Sequence, residues 1–338
     1  MQVHILGYYG MKNVGDEAFR PAMSYFFDGH DTKFINIDVY RKIPFPAPDV
    51  LVLGGGDVVT PYYLPVVSRS ICKTKIGLGV GLGYESESEL AAQANFSAWF
   101  LRNREDVDLV RSKTKVPVEY TPDLAFHLKP SGRKILRRYM TPGKQKVVAV
   151  LLTDYLMPSV LRTDEMFWDR GRRFLEHFGA FCTELTRAGY RILMLPCSGD
   201  GHADDRRVHM SVRAFTEGNV TCVHDLLSPQ DLIDVLAEVD CCICQRFHSH
   251  VFSMIANKPI MSVSFTRKVK KLLEAAGGGV NANCFDRSGN YVEVDLMAAF
   301  DKMQGEAEQM KARFPMYVGQ NRWNLAEVKQ KVLRLIGV

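Results

Sequence analysis

Residues 1–27 read MQVHILGYYGMKNVGDEAFRPAMSYFF. Val3 to Leu6 is an uninterrupted apolar run of the kind that forms a strand covered on both faces. Gly7 and Gly10 then permit a tight turn, and from about Asp16 to Phe27 the apolar residues recur at helical spacing. The chain thus opens as strand, turn and helix. Further apolar runs follow at 33–39, 49–53 and 75–80, with a helical pattern over 88–102 and a short strand expected at 108–110. Strands without polar alternation, separated by helices, predict a parallel sheet with helices on both faces.

The stretch 129–146 is basic and holds Pro130, Gly132, Pro142 and Gly143 between two apolar strands, which marks a linker. Beyond it a second α/β series begins. Strands are expected at 146–153, 191–195, 220–223, 241–244 and 260–264, and helices at 164–188, 229–237 and 249–256. Two amphipathic helices, 296–313 and 325–335, finish the chain. The reading is an N-terminal Rossmann-like domain at 1–130, a linker at 131–145 and a C-terminal Rossmann-like domain at 146–338. Two such α/β halves facing a cleft give a glycosyltransferase-B-like arrangement, with ligands expected beyond the carboxyl ends of the strands.

A length of 338 residues suits two cores of this size. With 46% hydrophobic and 24% charged residues the composition is that of a globular protein. The formal net charge of +5 is spread among interleaved acids, which excludes a nucleic-acid-binding tail. The one dense basic run, Arg267, Lys268, Lys270 and Lys271, is followed by Leu272 and Leu273 and reads as the polar face of an amphipathic helix. The start has neither a basic segment nor a signal-like apolar core, and no apolar stretch reaches membrane-spanning length, so a cytoplasmic location is expected. Five of the eight cysteines are scattered singly. Cys241, Cys242 and Cys244 share one strand that sends neighbours to opposite faces, which predicts buried thiols and no metal site.

Four local motifs stand at predicted strand ends. GYYGMKNVGDEA, 7–18, places Gly15 at a helix start, where unpaired amides and the helix dipole favour an anion. Tyr8, Asn13, Asp16 and Glu17 accompany it as candidate donor or acceptor ligands, Asn13 and Asp16 also being suited to capping the helix. LVLGGGDVV, 51–59, sets Gly54, Gly55 and Gly56 directly after a buried strand, leaving room for a ligand or for another backbone. GLGVGLGYE, 77–85, is similar, with glycines that could equally serve helix–sheet packing. CQRFHSH, 244–250, puts Arg246, whose guanidinium fork matches carboxylate or phosphate, beside His248, an imidazole able to move a proton. His250 reads as structural. Neither a dinucleotide fingerprint nor an ATP-binding loop is present.

The opening GYYGMKNVGDEA, the post-strand GGG, Arg246-Phe247-His248 and Pro122-Asp123-Leu124-Ala125-Phe126 resemble, in order and spacing, the polysaccharide pyruvyl transferase family. The resemblance implies transfer of a pyruvyl group from phosphoenolpyruvate to two hydroxyls of one sugar, forming a cyclic ketal and releasing phosphate without a cofactor. It implies Arg246 as the clamp on the donor anion, His248 as the acid that protonates the methylene carbon, and Lys268 as a second anion contact. The family's Ser-Arg-Asp after the fifth strand falls, on this reading, at Val110-Arg111-Ser112-Lys113, keeping Arg111 and losing the carboxylate. Its aspartate-proline-lysine run falls at Phe265-Thr266-Arg267-Lys268.

Two other functions fit the same architecture. A glycosyltransferase would cradle the diphosphate of a nucleotide-sugar donor at the same helix starts. Its acceptor could be a glycan or a modified nucleic-acid base, but aromatic residues are not interleaved with the basic ones as a base-stacking groove requires, which favours carbohydrate. A binding protein that has kept the fold and lost the chemistry should lack the acid, whereas Arg246 and His248 are both present.

Overall fold

A computed structural model describes the chain apart from residues 84, 85, 142, 155–164, 200–202, 265 and 287–289, and gives the backbone alone for 165–170. Tyr84, Glu85, Pro142, Asp164 and Phe265, which figure in the readings above, lie outside the described residues.

The chain divides into two compact units. Met1–Met11, Asp16–Leu128 and Gly319–Val338 form the first, and Lys12–Gly15 with Lys129–Val318 the second. Gly319–Val338, expected with the second half, belongs to the first. In the opposite sense, four residues of the opening glycine motif belong to the second.

The first unit is built on β1 (Gln2–Gly7), β2 (Asp31–Asn36), β3 (Val50–Gly56), β4 (Thr74–Val80), β5 (Ala98–Leu101) and β6 (Val118–Tyr120). They pair in parallel in the order β2-β1-β3-β4-β5-β6. Its helices are α2 (Phe19–Phe26), α3 (Ile37–Lys42), α4 (Leu64–Ser68), α5 (Glu87–Gln93) and α6 (Arg104–Arg111), while the short α1 (Val14–Glu17) runs across the division between units. All seven residues of β3 are buried, as a central strand covered on both faces requires, whereas edge strand β2 alternates in exposure.

Three expectations are corrected here. Residues 33–39 do not continue as a strand, because the Asn36 side chain accepts from the Asp38 amide and caps α3. The helix expected over 88–102 ends at Gln93, and Ala98–Leu101 enters the sheet as β5, fully buried. A short apolar run of this kind fits either structure by periodicity alone. Residues 108–110 lie within α6, where Val107 and Val110 form its buried stripe.

The second unit carries β7 (Val147–Leu151), β8 (Arg191–Met194), β9 (Val220–Cys222), β10 (Cys241–Cys244), β11 (Ile260–Ser262) and β12 (Val280–Asn281) in the parallel order β12-β11-β10-β7-β8-β9. Its helices are α7 (Glu165–Arg187), α8 (Asp205–Ala214), α9 (Pro229–Glu238), α10 (Phe247–Ile255), α11 (Arg267–Ala276), α12 (Leu296–Gly305) and the first part of α13 (Ala307–Leu335). Helix α9 starts with Ser228 accepting from the Asp231 amide and Pro229 in the first turn. Helix α11 stops where Gly277 takes a left-handed conformation. In this strand order the direction of winding reverses between β7 and β10, so a ligand is expected beyond the carboxyl ends of that pair. Cys241, Cys242 and Cys244 on β10 are free and buried.

Among the described residues no helix is long and apolar enough to cross a membrane.

Candidate functional site

Two residues past β10, Arg246 is the N-cap of α10, and His248 occupies that helix's first turn. The Arg246 side chain makes no cap hydrogen bond. It turns instead to Asp205 at the start of α8, donating from Nε (2.8 Å) and Nη2 (2.6 Å). The Asp205 side chain is wholly buried and that of Arg246 is 9% exposed. Asp205 also accepts from the backbone amides of Cys197 and Ser198. Burial pushes its carboxyl up to about 6, although Arg246 pulls in the opposite sense. The Nε and Nη2 edge of Arg246 is therefore committed to Asp205 within the protein.

Lys12–Gly15 lies against the loop that follows β8. The Val14 amide donates to Cys197 O (2.8 Å), the Gly199 amide to Lys12 O (3.0 Å), and Asn13 pairs with Ser198 in an antiparallel bridge. The Asn13 side chain accepts from the Gly15 amide. A Cβ at Gly15 would stand 2.1 Å from His248 Nδ1, so the missing side chain is the space in which the imidazole sits. His248 also meets Phe247 edge-on and Phe252 in a stacked arrangement. Lys268, exposed in the first turn of α11, holds its ammonium 5.7 Å from the centre of the Phe247 ring. The structure thus brings together Asn13, Gly15, Arg246, His248 and Lys268.

His250 is buried, with Nδ1 2.7 Å from Arg246 O and Nε2 2.8 Å from Ser262 Oγ. Burial pushes its pKa down to about 4. It is a neutral brace that ties α10 to the end of β11.

The other candidates belong to the first unit. Tyr8 is half-buried just past β1. Glu17 accepts from the Gly10 amide and pairs with Arg20, so it closes the glycine turn. The glycines at 54–56 lie within β3 and not in a turn after it. A Cβ at Gly54 would meet Met23 at 2.7 Å, and one at Gly55 would meet the Phe19 ring at 2.1 Å. The room they leave is filled by α2, in place of the ligand space expected there. Gly56 looks towards the Asp16 carboxylate. At Gly77 and Gly79 the space is taken by Trp99 and Leu124.

Arg111 lies on α6, 58% exposed at its side chain, pairing with Asp108 and donating to Val118 O at the amino end of β6. The fifth strand ends at Leu101, so the residues after it are Arg102-Asn103-Arg104-Glu105-Asp106. Arginine and carboxylates are therefore both present there, whereas 110–113, taken above as following the fifth strand, lies at the end of α6. Arg102 is buried and bridges Asp57 (2.5 Å), just past the three glycines, to Asp123 (3.1 Å).

Three buried oxygens at the strand ends of the second unit were not among the sequence candidates. Thr153 Oγ1, Asp154 Oδ1 and Ser198 Oγ have no hydrogen-bond partner among the described residues. The Thr153 amide donates to Gln245 Oε1, joining the ends of β7 and β10. Asp154 could have been found by the criterion that found Arg246, since it lies just beyond a buried apolar strand.

A family model described as polysaccharide pyruvyl transferase matches residues 13–265. The chain belongs to that family. The match takes in every residue of the His248 cluster except Lys268, three positions beyond its end. No curated protein is similar enough in sequence to match this polysaccharide pyruvyl transferase family member. Among solved structures it resembles S. aureus MnaA with UDP, at 8% identity and a TM-score of 0.64, over 98% of this chain and 96% of that one. It also resembles UDP-GlcNAc 2-epimerase from Neisseria meningitidis bound to UDP-GlcNAc, at 9% identity and a TM-score of 0.61, over 99% and 100%. At such identities the likeness is one of fold, the glycosyltransferase-B-like pairing of two parallel α/β units.

Proposed function

We propose that the chain transfers the pyruvyl group of phosphoenolpyruvate to two hydroxyls of one sugar, forming a cyclic ketal and releasing phosphate. Family membership supports the reaction class, and the observation that carries the reading is the seating of His248 against Gly15 beside Arg246 and Lys268. The donor is a carboxylate joined to a phosphate. Its negative charge meets the N-terminus of the nine-residue α10, which has no side-chain cap, together with Lys268 and the guanidinium of Arg246. Asp205 offsets part of the Arg246 charge, so Lys268 and the helix start carry more of the donor's charge than Arg246 alone.

His248 gives a proton to the methylene carbon, which becomes a methyl group and leaves oxocarbenium character on the adjacent carbon. One hydroxyl adds there and loses its proton, phosphate departs with the electrons of its C–O bond, and the second hydroxyl adds and loses its own. Of the two hydroxyl protons one restores His248 and the other leaves with phosphate. Asn13, Gly15 and Arg246 fix the position of the imidazole and of the helix start. Tyr8, Asp16 and Gly56 remain candidates for the sugar side.

The test is thermal melting of the pure protein with phosphoenolpyruvate and, separately, with a panel of nucleotide sugars, followed by phosphate release in the presence of sugars. Phosphoenolpyruvate should raise the melting temperature. His248→Gln should keep that shift and lower turnover by about 100-fold or more, the scale of losing a general acid. A shift with a nucleotide sugar and none with phosphoenolpyruvate would defeat the proposal in favour of glycosyl transfer.

A further inference from the structure

Asp154 follows β7 at the point where the winding of the second sheet reverses, opposite Gln245 and Arg246 at the end of β10. Its side chain is 4% exposed, yet Oδ1 has no hydrogen-bond partner among the described residues. A buried carboxylate oxygen left in that state is costly, because it has given up water without gaining a donor. Thr153 Oγ1 and Ser198 Oγ, at the ends of β7 and β8, are in the same condition. The charged groups that act on Asp154 come from two elements. Arg207 on α8 stands 3.8 Å from Oδ2, Arg246 contributes from the start of α10, and Asp204 and Asp205 bring negative charge from the start of α8. Burial outweighs the two arginines and raises the carboxyl's pKa.

An unpartnered carboxylate oxygen asks for a donor hydrogen. Ionised phosphoenolpyruvate offers acceptors only, so it cannot satisfy that oxygen. A sugar hydroxyl can, and it must also lose a proton when it bonds to the donor carbon. We propose that Asp154 is the base that takes the proton of the attacking acceptor hydroxyl. The assignment rests on the pyruvyl-transfer reading. The hydroxyl O–H bond breaks as its oxygen bonds to the oxocarbenium carbon, the proton goes to the Asp154 carboxylate, and it then passes to the departing phosphate. Asp154 thus serves the acceptor while His248 serves the donor.

The experiment compares the full-length wild type with Asp154→Asn, measuring phosphate release from phosphoenolpyruvate with methyl glycosides of glucose, galactose and mannose, and pyruvate release with water as the only hydroxyl. The variant should bind phosphoenolpyruvate with a melting shift like that of the wild type and lose about 100-fold or more of turnover. Wild-type turnover as a function of pH should show an acid limb above the ordinary carboxylate range, read without any variant should Asp154→Asn fail to fold. Equal turnover in the variant, a parallel loss of donor binding, or a wild-type profile without the acid limb overturns the role of Asp154 alone. A wild type that neither binds nor consumes phosphoenolpyruvate overturns the pyruvyl-transfer reading and this role with it.

Discussion

Gly15 has a backbone outside the left-handed region, so the strain that makes glycine obligatory elsewhere is absent there. What forbids a side chain is the His248 ring, 2.1 Å from where Cβ would be. Gly15→Ala should therefore displace the imidazole while costing the fold little. The expected result is a turnover loss of at least tenfold with a melting temperature within a few degrees of wild type, measured on the same preparation. A variant with full turnover would show that the ring's position is immaterial to the chemistry. Arg246 and His248 could be found from sequence because they share one short segment after a strand. Asp205 and Asp154 could not be paired with them in that way, since folding alone brings α8 and the end of β7 to that segment.

Among elements, the strands read best were those buried on both faces, notably β7 and β10, where every residue is hidden and the sequence is an unbroken apolar run, while β3 was read only to Leu53 because its last three residues are glycines. Two of the four edge strands and one helix escaped notice. β6 is the three residues Val118–Tyr120 with Glu119 at its centre, β12 has only two residues, and α8 is rich in arginine with Val208 and Val212 on its buried side. The glycines of β3 show how packing can imitate a binding motif. Gly55 has φ +75° and faces the Phe19 ring, while Gly10 has φ +78° and nothing within 4 Å. Alanine at Gly10 meets only the backbone penalty, about 1–2 kcal/mol. At Gly55 it adds an overpacking cost of about 1–3 kcal/mol. Urea denaturation should rank Gly55→Ala well below Gly10→Ala in stability, and equal losses would mean that α2 moves aside freely.

Across the whole molecule, buried histidines link stability to pH. Burial pushes His250 down to about 4 and His209 down to about 3, from 6.5. Below pH 6.5 the unfolded chain takes up protons that the native state refuses, so the stability associated with these groups is present above 6.5 and lost on acidification. Asp205, raised to about 6, acts in the opposite sense, its contribution being present at low pH and lost as pH rises through 6. For His250 the penalty reaches about 2 kcal/mol at pH 5. The stability advantage of wild type over His250→Gln should therefore shrink between pH 7.5 and pH 5, and a gap independent of pH would exclude the effect. Finally, neither unit is a continuous piece of chain. Leu325, Val328 and Val332 on the last part of α13 are buried, Lys329 lies over the Tyr25 ring, and Arg322 donates to Phe126 O and Leu128 O. A growing polypeptide emerges from the ribosome in order, so the first unit must wait for its last helical segment until residues 319–338 are made. Lys12–Gly15 must likewise wait for the loop after β8. Neither unit can finish folding during synthesis before the other has been translated, which leaves the nascent chain dependent on shielding from aggregation for most of its time on the ribosome.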